Sequence, residues 1–338
     1  MDNNLQYAQE RLSNIRFVLD EQLNDPPLDN LDDGSRLKSF ANLQHLKITE
    51  GVTPKLYESL ETVLDRLGIP HQSVEAFVFN SPEIQAECFS LAGGQCVLRF
   101  SSGLVDLLDN DEFKFVVGHE LGHFLYSHIG LPGEGVGRTF RQLKQSRYQE
   151  VSADRVGLIG CNSLDVAIKA LVKSSSGLNG SHLRFDVGTY LNQLKKAEEH
   201  SSIIEEYSTH PSSPLRCKAL FWFSLVNDPL QMKEETLLAP MSEVDNRVSR
   251  DLIKYSESYT ASLQLQLLSE LELWSKLDEV SSKGSFTKSD QVVIADAFGP
   301  EMLQKALNFY EGKTASEAQE HAKLKVIQFR QQLHDLGY

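Results

Sequence analysis

"FKFVVGHELGHFLYSH", residues 113–128, places two histidines four apart with a glutamate directly after the first. An α-helix turns about 100° per residue, so His119 and His123 stand only about 40° apart around the axis, one turn from each other. Two imidazoles so placed can reach a single ion. Glu120 lies about 100° round from His119, too far to share the coordination sphere easily but within reach of a water held there. The same stretch is apolar on most sides through Phe113, Val116, Val117, Leu121, Phe124 and Leu125, which predicts a buried helix. Burying two histidines and a glutamate is costly unless something satisfies them, and a metal ion would.

Zinc held by three protein ligands keeps a position open for water and lowers the pKa of that water towards about 7. A carboxylate beside it can then take the proton as general base. The bare pattern also arises by chance in roughly a few per cent of chains of this length and composition, so a third ligand is needed. "YQEVSADR" puts Glu150 and Asp154 four apart on one helical face. Glu150 is the better third ligand. Asp154, one turn on, is placed to accept the other ring N–H of a ligand histidine and so set its tautomer. Elsewhere such an acidic pair is usually a solvated face. His128 is a weaker ligand candidate, because it lies five residues beyond His123 and on another face.

A formal net charge of −14 over 338 residues excludes nucleic acid as the main partner, since a phosphate backbone needs a basic surface. The opening "MDNNLQYAQERLSNIRFVLDEQL" lacks the basic start and apolar core of a signal peptide. No stretch approaches the ~20 apolar residues that a membrane span needs. The expected location is the cytoplasm. Cys88, Cys96, Cys161 and Cys217 form no C-x-x-C pair and read as free buried thiols.

Three regions follow one another: an N-terminal helical region over 1–50, a core over 51–229 and an all-helical region over 230–338. In the first, "NDPPLDNLDDGS" reads as a loop. The core opens on a helix with Thr53 as N-cap, Pro54 at the first helical position and Gly68 as its close. "VEAFVFN" and "QCVLRFS" read as neighbouring strands of a small sheet. The histidine helix is entered through Asp109, with Glu112 completing a capping box. A second helix runs from about Arg141, and "SLDVAIKALVKS" makes a third. In the last region Gly299–Pro300 and Gly312 punctuate the helices, and Thr314 with Glu317 forms another capping box. This region carries no chemical motif of its own, and packing or contact with a protein partner is its expected role.

"GHELGH", "SRYQEVSADRVG" and "STHPSSPLR", in that order, resemble the zinc metallopeptidases of family forty-eight, which include HtpX-type, CAAX prenyl and BepA-type proteases. The resemblance runs from about Thr53 to about Ala219. It implies a gluzincin, with His119, His123 and Glu150 as ligands of one Zn2+ per chain, Glu120 as general base and Asp154 behind a ligand histidine. It also makes His210 the family's late histidine, suited to stabilise an oxyanion, and Arg216 the arginine that follows it, for oxyanion or structural support. By the same resemblance the strand holding Cys96, Val97, Leu98 and Arg99 is an edge strand that pairs with extended substrate. Two departures stand out. Glu87-Cys88-Phe89 replaces the family's usual Asn-Ala-Phe before Gly93–Gly94, and the membrane helices of many members are missing. The glycine-rich "GLPGEGVGR" between the two motif helices lacks a nucleotide-loop pattern and reads as a connector.

The expected fold is thus α+β: a mostly helical, zincin-like core with a small sheet, N-terminal helices and an all-helical C-terminal extension. The expected activity is hydrolysis of protein or peptide substrates by a zinc endopeptidase. A zinc-stabilised, non-catalytic binding or chaperone-like module, and a latent peptidase blocked by its own terminal helices, are the alternatives.

Overall fold

The computed structural model describes residues 3–17, 31–128, 140–184, 186–197, 207–226 and 240–336. The chain divides into two compact units, Met1–Val136 with Gln145–Ser256, and Gly137–Lys144 with Glu257–Tyr338.

The first unit holds α1 (Asn3–Ser13), α2 (Leu31–Gln44), β1 (Leu46–Lys47), α3 (Pro54–Leu67), β2 (Val74–Phe79), β3 (Ala86–Leu91), β4 (Gln95–Ser101), α4 (Ser102–Leu107) and α5 (Asn110–Leu125). It continues with most of α6 (Phe140–Cys161), then α7 (Leu164–Ser176), α8 (Val187–Ala197), α9 (Ser213–Phe223) and α10 (Met241–Ser256). It is a mostly helical α+β unit with a four-stranded mixed sheet in the order β1-β2-β4-β3. β2 and β4 run parallel, as neighbours, and β3 closes the far side antiparallel to β4.

Residues of opposite parity along β3 and β4 face different layers. Cys96, Leu98 and Phe100 join the main core with Phe113, Val116, Val117 and Leu121 of α5. Phe77, Val97, Phe89 and Leu91 pack with Ala41 of α2 on the opposite face. α5 begins as expected: the Asp109 carboxylate accepts from the backbone N–H of Glu112, and Glu112 Oε2 accepts from that of Asp109. Lys173 of α7 closes the same corner, 2.6 Å from Glu112 Oε2 with both side chains buried.

The compact units run differently from the three regions read along the chain. Leu5, Ala8 and Leu12 of α1 and Val244, Val248 and Leu252 of α10 are buried in the same core as α3 and α5. Burial of amphipathic faces, rather than composition, sets where this unit starts and stops. Similarly, α2 begins at Leu31, inside the stretch expected to be a loop; the prolines, which cannot sustain a helix, lie before it. The "GLPGEGVGR" stretch lies outside the described residues.

The second unit is helical: α11 (Ser258–Ser282), α12 (Lys288–Tyr310) and α13 (Ala315–Leu336). α12 is two helical stretches joined at Gly299, whose φ of 84° breaks the helix just before Pro300. Leu273, Trp274, Leu277, Ile294, Phe309, Ala318 and Ala322 form its core, and Thr314 with Glu317 caps α13 as expected. No described helix in either unit is long and apolar enough to cross a membrane.

Candidate metal centre

α5 and α6 touch backbone to backbone. A Cβ added at Gly118 would lie 3.0 Å from Gly157 Cα, and one at Gly122 would lie 2.9 Å from Ala153 Cα. The two glycines of "GHELGH" therefore do what no larger residue could: they let α6 approach until Glu150 reaches the histidines of α5.

His119 and His123 turn their Nε2 atoms toward each other at 3.1 Å. Glu150 meets both, with Oε2 3.5 Å from His119 Nε2 and Oε1 3.4 Å from His123 Nε2. Among the described residues these three form the group able to hold a metal ion. Tetrahedral ligands at ~2.0–2.1 Å from zinc stand roughly 3.3 Å apart, close to these spacings. Glu150 Oε2 is buried without a hydrogen bond among the described residues, its charged neighbour being Arg216 Nη2 at 3.4 Å. The donor set fits a divalent ion.

The outward faces of the imidazoles are held as well. His119 Nδ1 lies 3.0 Å from Asp154 Oδ1, and Asp154 in turn accepts from Arg216 Nε at 2.8 Å and Nη2 at 2.6 Å. Burial disfavours an ionised Asp154, but Arg216 and His119 overcome it and hold the carboxyl below its usual pKa. Glu150 is likewise held well below the carboxylate range: His210, Arg216 and the two ligand-type histidines outweigh its burial. Glu120 goes the other way. It is 8 % exposed, and its burial, with the nearby charges of Glu150 and Glu87, raises its pKa against the pull of His119 and His123.

His210, on the segment before α9, brings Nε2 to 3.3 Å from Glu150 Oε1, while its Nδ1 lies 2.8 Å from the Thr209 hydroxyl. Buried Arg147, three residues before Glu150 on α6, donates to Ser208 O at 3.1 Å and ties this segment to the helix. Sequence reading missed Arg147, although its i−3 spacing from Glu150 put it on the same face.

One expectation is corrected. Cys96, Val97, Leu98 and Arg99 cannot pair with a substrate strand, because β4 is hydrogen-bonded on both sides, to β2 and to β3. Among the described residues the edge strand beside α5 is β3, the strand of Glu87-Cys88-Phe89, which pairs with β4 alone. His128, the weaker ligand candidate, stands on the Nδ1 side of His123, 3.1 Å away, outside the donor group among the described residues. The cysteines are free, with Cys96 and Cys217 buried and Cys88 and Cys161 only partly so.

Fold and site together define a mostly helical α+β protein built round a two-histidine, one-carboxylate donor set. The chain belongs to peptidase family M48, whose model matches residues 51–132 and 133–221. It is similar to the plastoglobule-localized metallopeptidase 48, chloroplastic, of Arabidopsis thaliana, at 23% identity over 149 residues covering 39% of this chain and 43% of that protein. It is also similar to the metalloprotease LoiP of Escherichia coli (strain K12), at 36% identity over 72 residues covering 21% of this chain and 27% of LoiP. The chain thus spans less than half the length of either relative. No solved structure matches it.

Proposed function

We propose that this chain is a zinc-dependent endopeptidase acting on extended protein or peptide substrates. The observation that carries the proposal is the meeting of His119 Nε2, His123 Nε2 and the Glu150 carboxylate within 4.8 Å, with the buried carboxylate of Glu120 next in sequence to His119. His119, His123 and Glu150 would hold the ion. When bound, zinc supplies an acidified water and polarises the scissile carbonyl.

The chain's own groups do the rest. Glu120 takes the proton of the attacking water on its carboxylate and returns it to the leaving amine. Its raised pKa suits a group that must both accept and release that proton. The Thr209 hydroxyl and His210 Nδ1 lie 2.8 Å apart; with the hydroxyl as donor, His210 carries its proton on Nε2, beside Glu150, from where it donates to the developing oxyanion. Both nitrogens of Arg216 that face Asp154 are committed to it, so its role is support rather than contact with the oxyanion. The open edge of β3 receives the substrate backbone as an added strand.

Free cysteines support a reducing, cytoplasmic location. In the second unit, exposed Leu265 on α11 and Leu324 and Ile327 on α13 support a role in contacting a protein partner.

The test is Glu120→Gln. It should keep bound zinc while hydrolysis of a casein-like substrate falls at least about a hundredfold, the low end of what general bases contribute. Undiminished turnover in that variant would remove Glu120 from the mechanism. Zinc binding by wild type without any hydrolysis would favour a non-catalytic binding module.

A further inference from the structure

α5 ends at Leu125, and its exit bends back on itself. Ser127 adopts φ 53°, in the left-handed region. Its N–H donates to Phe124 O, and the N–H of His128 donates to His123 O at 2.9 Å. This is the Schellman pattern, whose left-handed position is usually glycine. In that motif the residue after the left-handed one normally makes an apolar contact with the helix residue to which its N–H donates. Here those two residues are His128 and His123, and the contact is polar. A serine held where glycine is at ease brings His128 underneath His123.

The two rings meet edge to face, with centroids 5.1 Å apart, and Tyr126 packs on His128 at 5.4 Å. Their Nδ1 atoms are 3.1 Å apart, so one donates and the other accepts. If His128 donated, the proton of neutral His123 would sit on Nε2 and point at His119 and Glu150. Its lone pair would then be lost to any metal. If His123 donates, its Nε2 lone pair faces the donor set and His128 carries its own proton on Nε2.

We propose that His128 is a positioning residue for the metal centre: its Nδ1 accepts the Nδ1–H of His123 and fixes the metal-binding tautomer. His119 is oriented by a carboxylate and His123 by a neutral imidazole. The proposal rests on the metal-binding role of His119, His123 and Glu150.

The experiment is a chelator-competition measurement of zinc affinity on the full chain, for wild type, H128A, H128N and H128Q, with thermal unfolding followed in parallel. Loss of a group that orients a metal-binding histidine weakens affinity about 10–100-fold, and H128A should do so. An asparagine Oδ1 can occupy the place of histidine Nδ1, so H128N should stay within a few-fold of wild type. A glutamine amide reaches toward the Nε2 position instead, and H128Q should resemble H128A. Unchanged affinity in H128A, or an H128N as weak as H128A, overturns the proposal while the metal centre stands. No zinc binding by wild type overturns the metal centre and this proposal with it.

Discussion

Gly122 of α5 faces Ala153 of α6 so closely that a Cβ on the glycine would stand 2.9 Å from the alanine Cα. That contact sets the distance between the helix carrying His119 and His123 and the helix carrying Glu150. Gly122→Val should therefore do two things at once. Overpacking costs about 1–3 kcal/mol of stability, and separating the helices should weaken zinc binding. Urea unfolding and chelator competition read the two effects. Lost stability with unchanged zinc affinity would show that the helix spacing does not set the site.

Asp154 and Arg216 make a prediction about acid stability. The folded Asp154 has a pKa below its ordinary value, so the pair contributes stability above roughly pH 4, the ordinary aspartate value, and loses it as pH falls through the lower folded value. In Arg216→Leu, Asp154 keeps His119 as its partner but loses the guanidinium, so its folded pKa rises and the loss of stability on acidification becomes smaller than in wild type. At pH 7 the variant should be less stable by about 3–5 kcal/mol. Urea unfolding from pH 3 to pH 7 gives both slopes; parallel curves for wild type and variant would contradict the assignment.

Glu120 predicts the acid limb of activity. Its pKa is raised by burial, so it loses its charge at a higher pH than an ordinary glutamate, near 4.3. Turnover should fall on acidification as Glu120 takes up a proton. Protons also compete with zinc for the histidines, so zinc content is measured at each pH. A rate independent of pH between about 7 and 5, at constant zinc content, would rule Glu120 out as the base.

The open edge of β3 predicts that recognition runs through the substrate backbone. A peptide carrying N-methyl groups at alternate residues loses the N–H groups that would pair with β3. Its kcat/KM should fall about five- to thirtyfold, the loss of one or two net hydrogen bonds of ~1 kcal/mol each. Equal cleavage of methylated and plain peptides would remove β3 from substrate binding.

Much of the centre could be read from local spacing. The capping box of Asp109 and Glu112, the apolar run of α5 and the i,i+4 spacing of His119 and His123 are properties of a single helix, and helix geometry is regular enough to foretell them. The same holds for Glu150 and Asp154 on α6. β3 is not legible in the sequence, because each face of Ala86–Leu91 mixes polar and apolar residues and no clean alternation separates them. β4 read correctly as a strand but wrongly as an edge, since alternation reveals which faces a strand has and not how many neighbours it pairs with. A five-residue step on a helix puts His128 on another face than His123, but the chain has left the helix at Leu125, so helix geometry does not give its contact with His123.

By itself, the sequence determined the two motif helices, their caps and the donor atoms each could offer, since these depend on residues within one or two turns. Only the tertiary structure decided that α5 and α6 meet glycine to backbone, that β3 rather than β4 keeps an open edge, and that His128 folds back beneath His123. Each of these joins segments far apart in the chain or turns on one backbone reversal, and no local periodicity encodes a contact between surfaces that packing alone brings together.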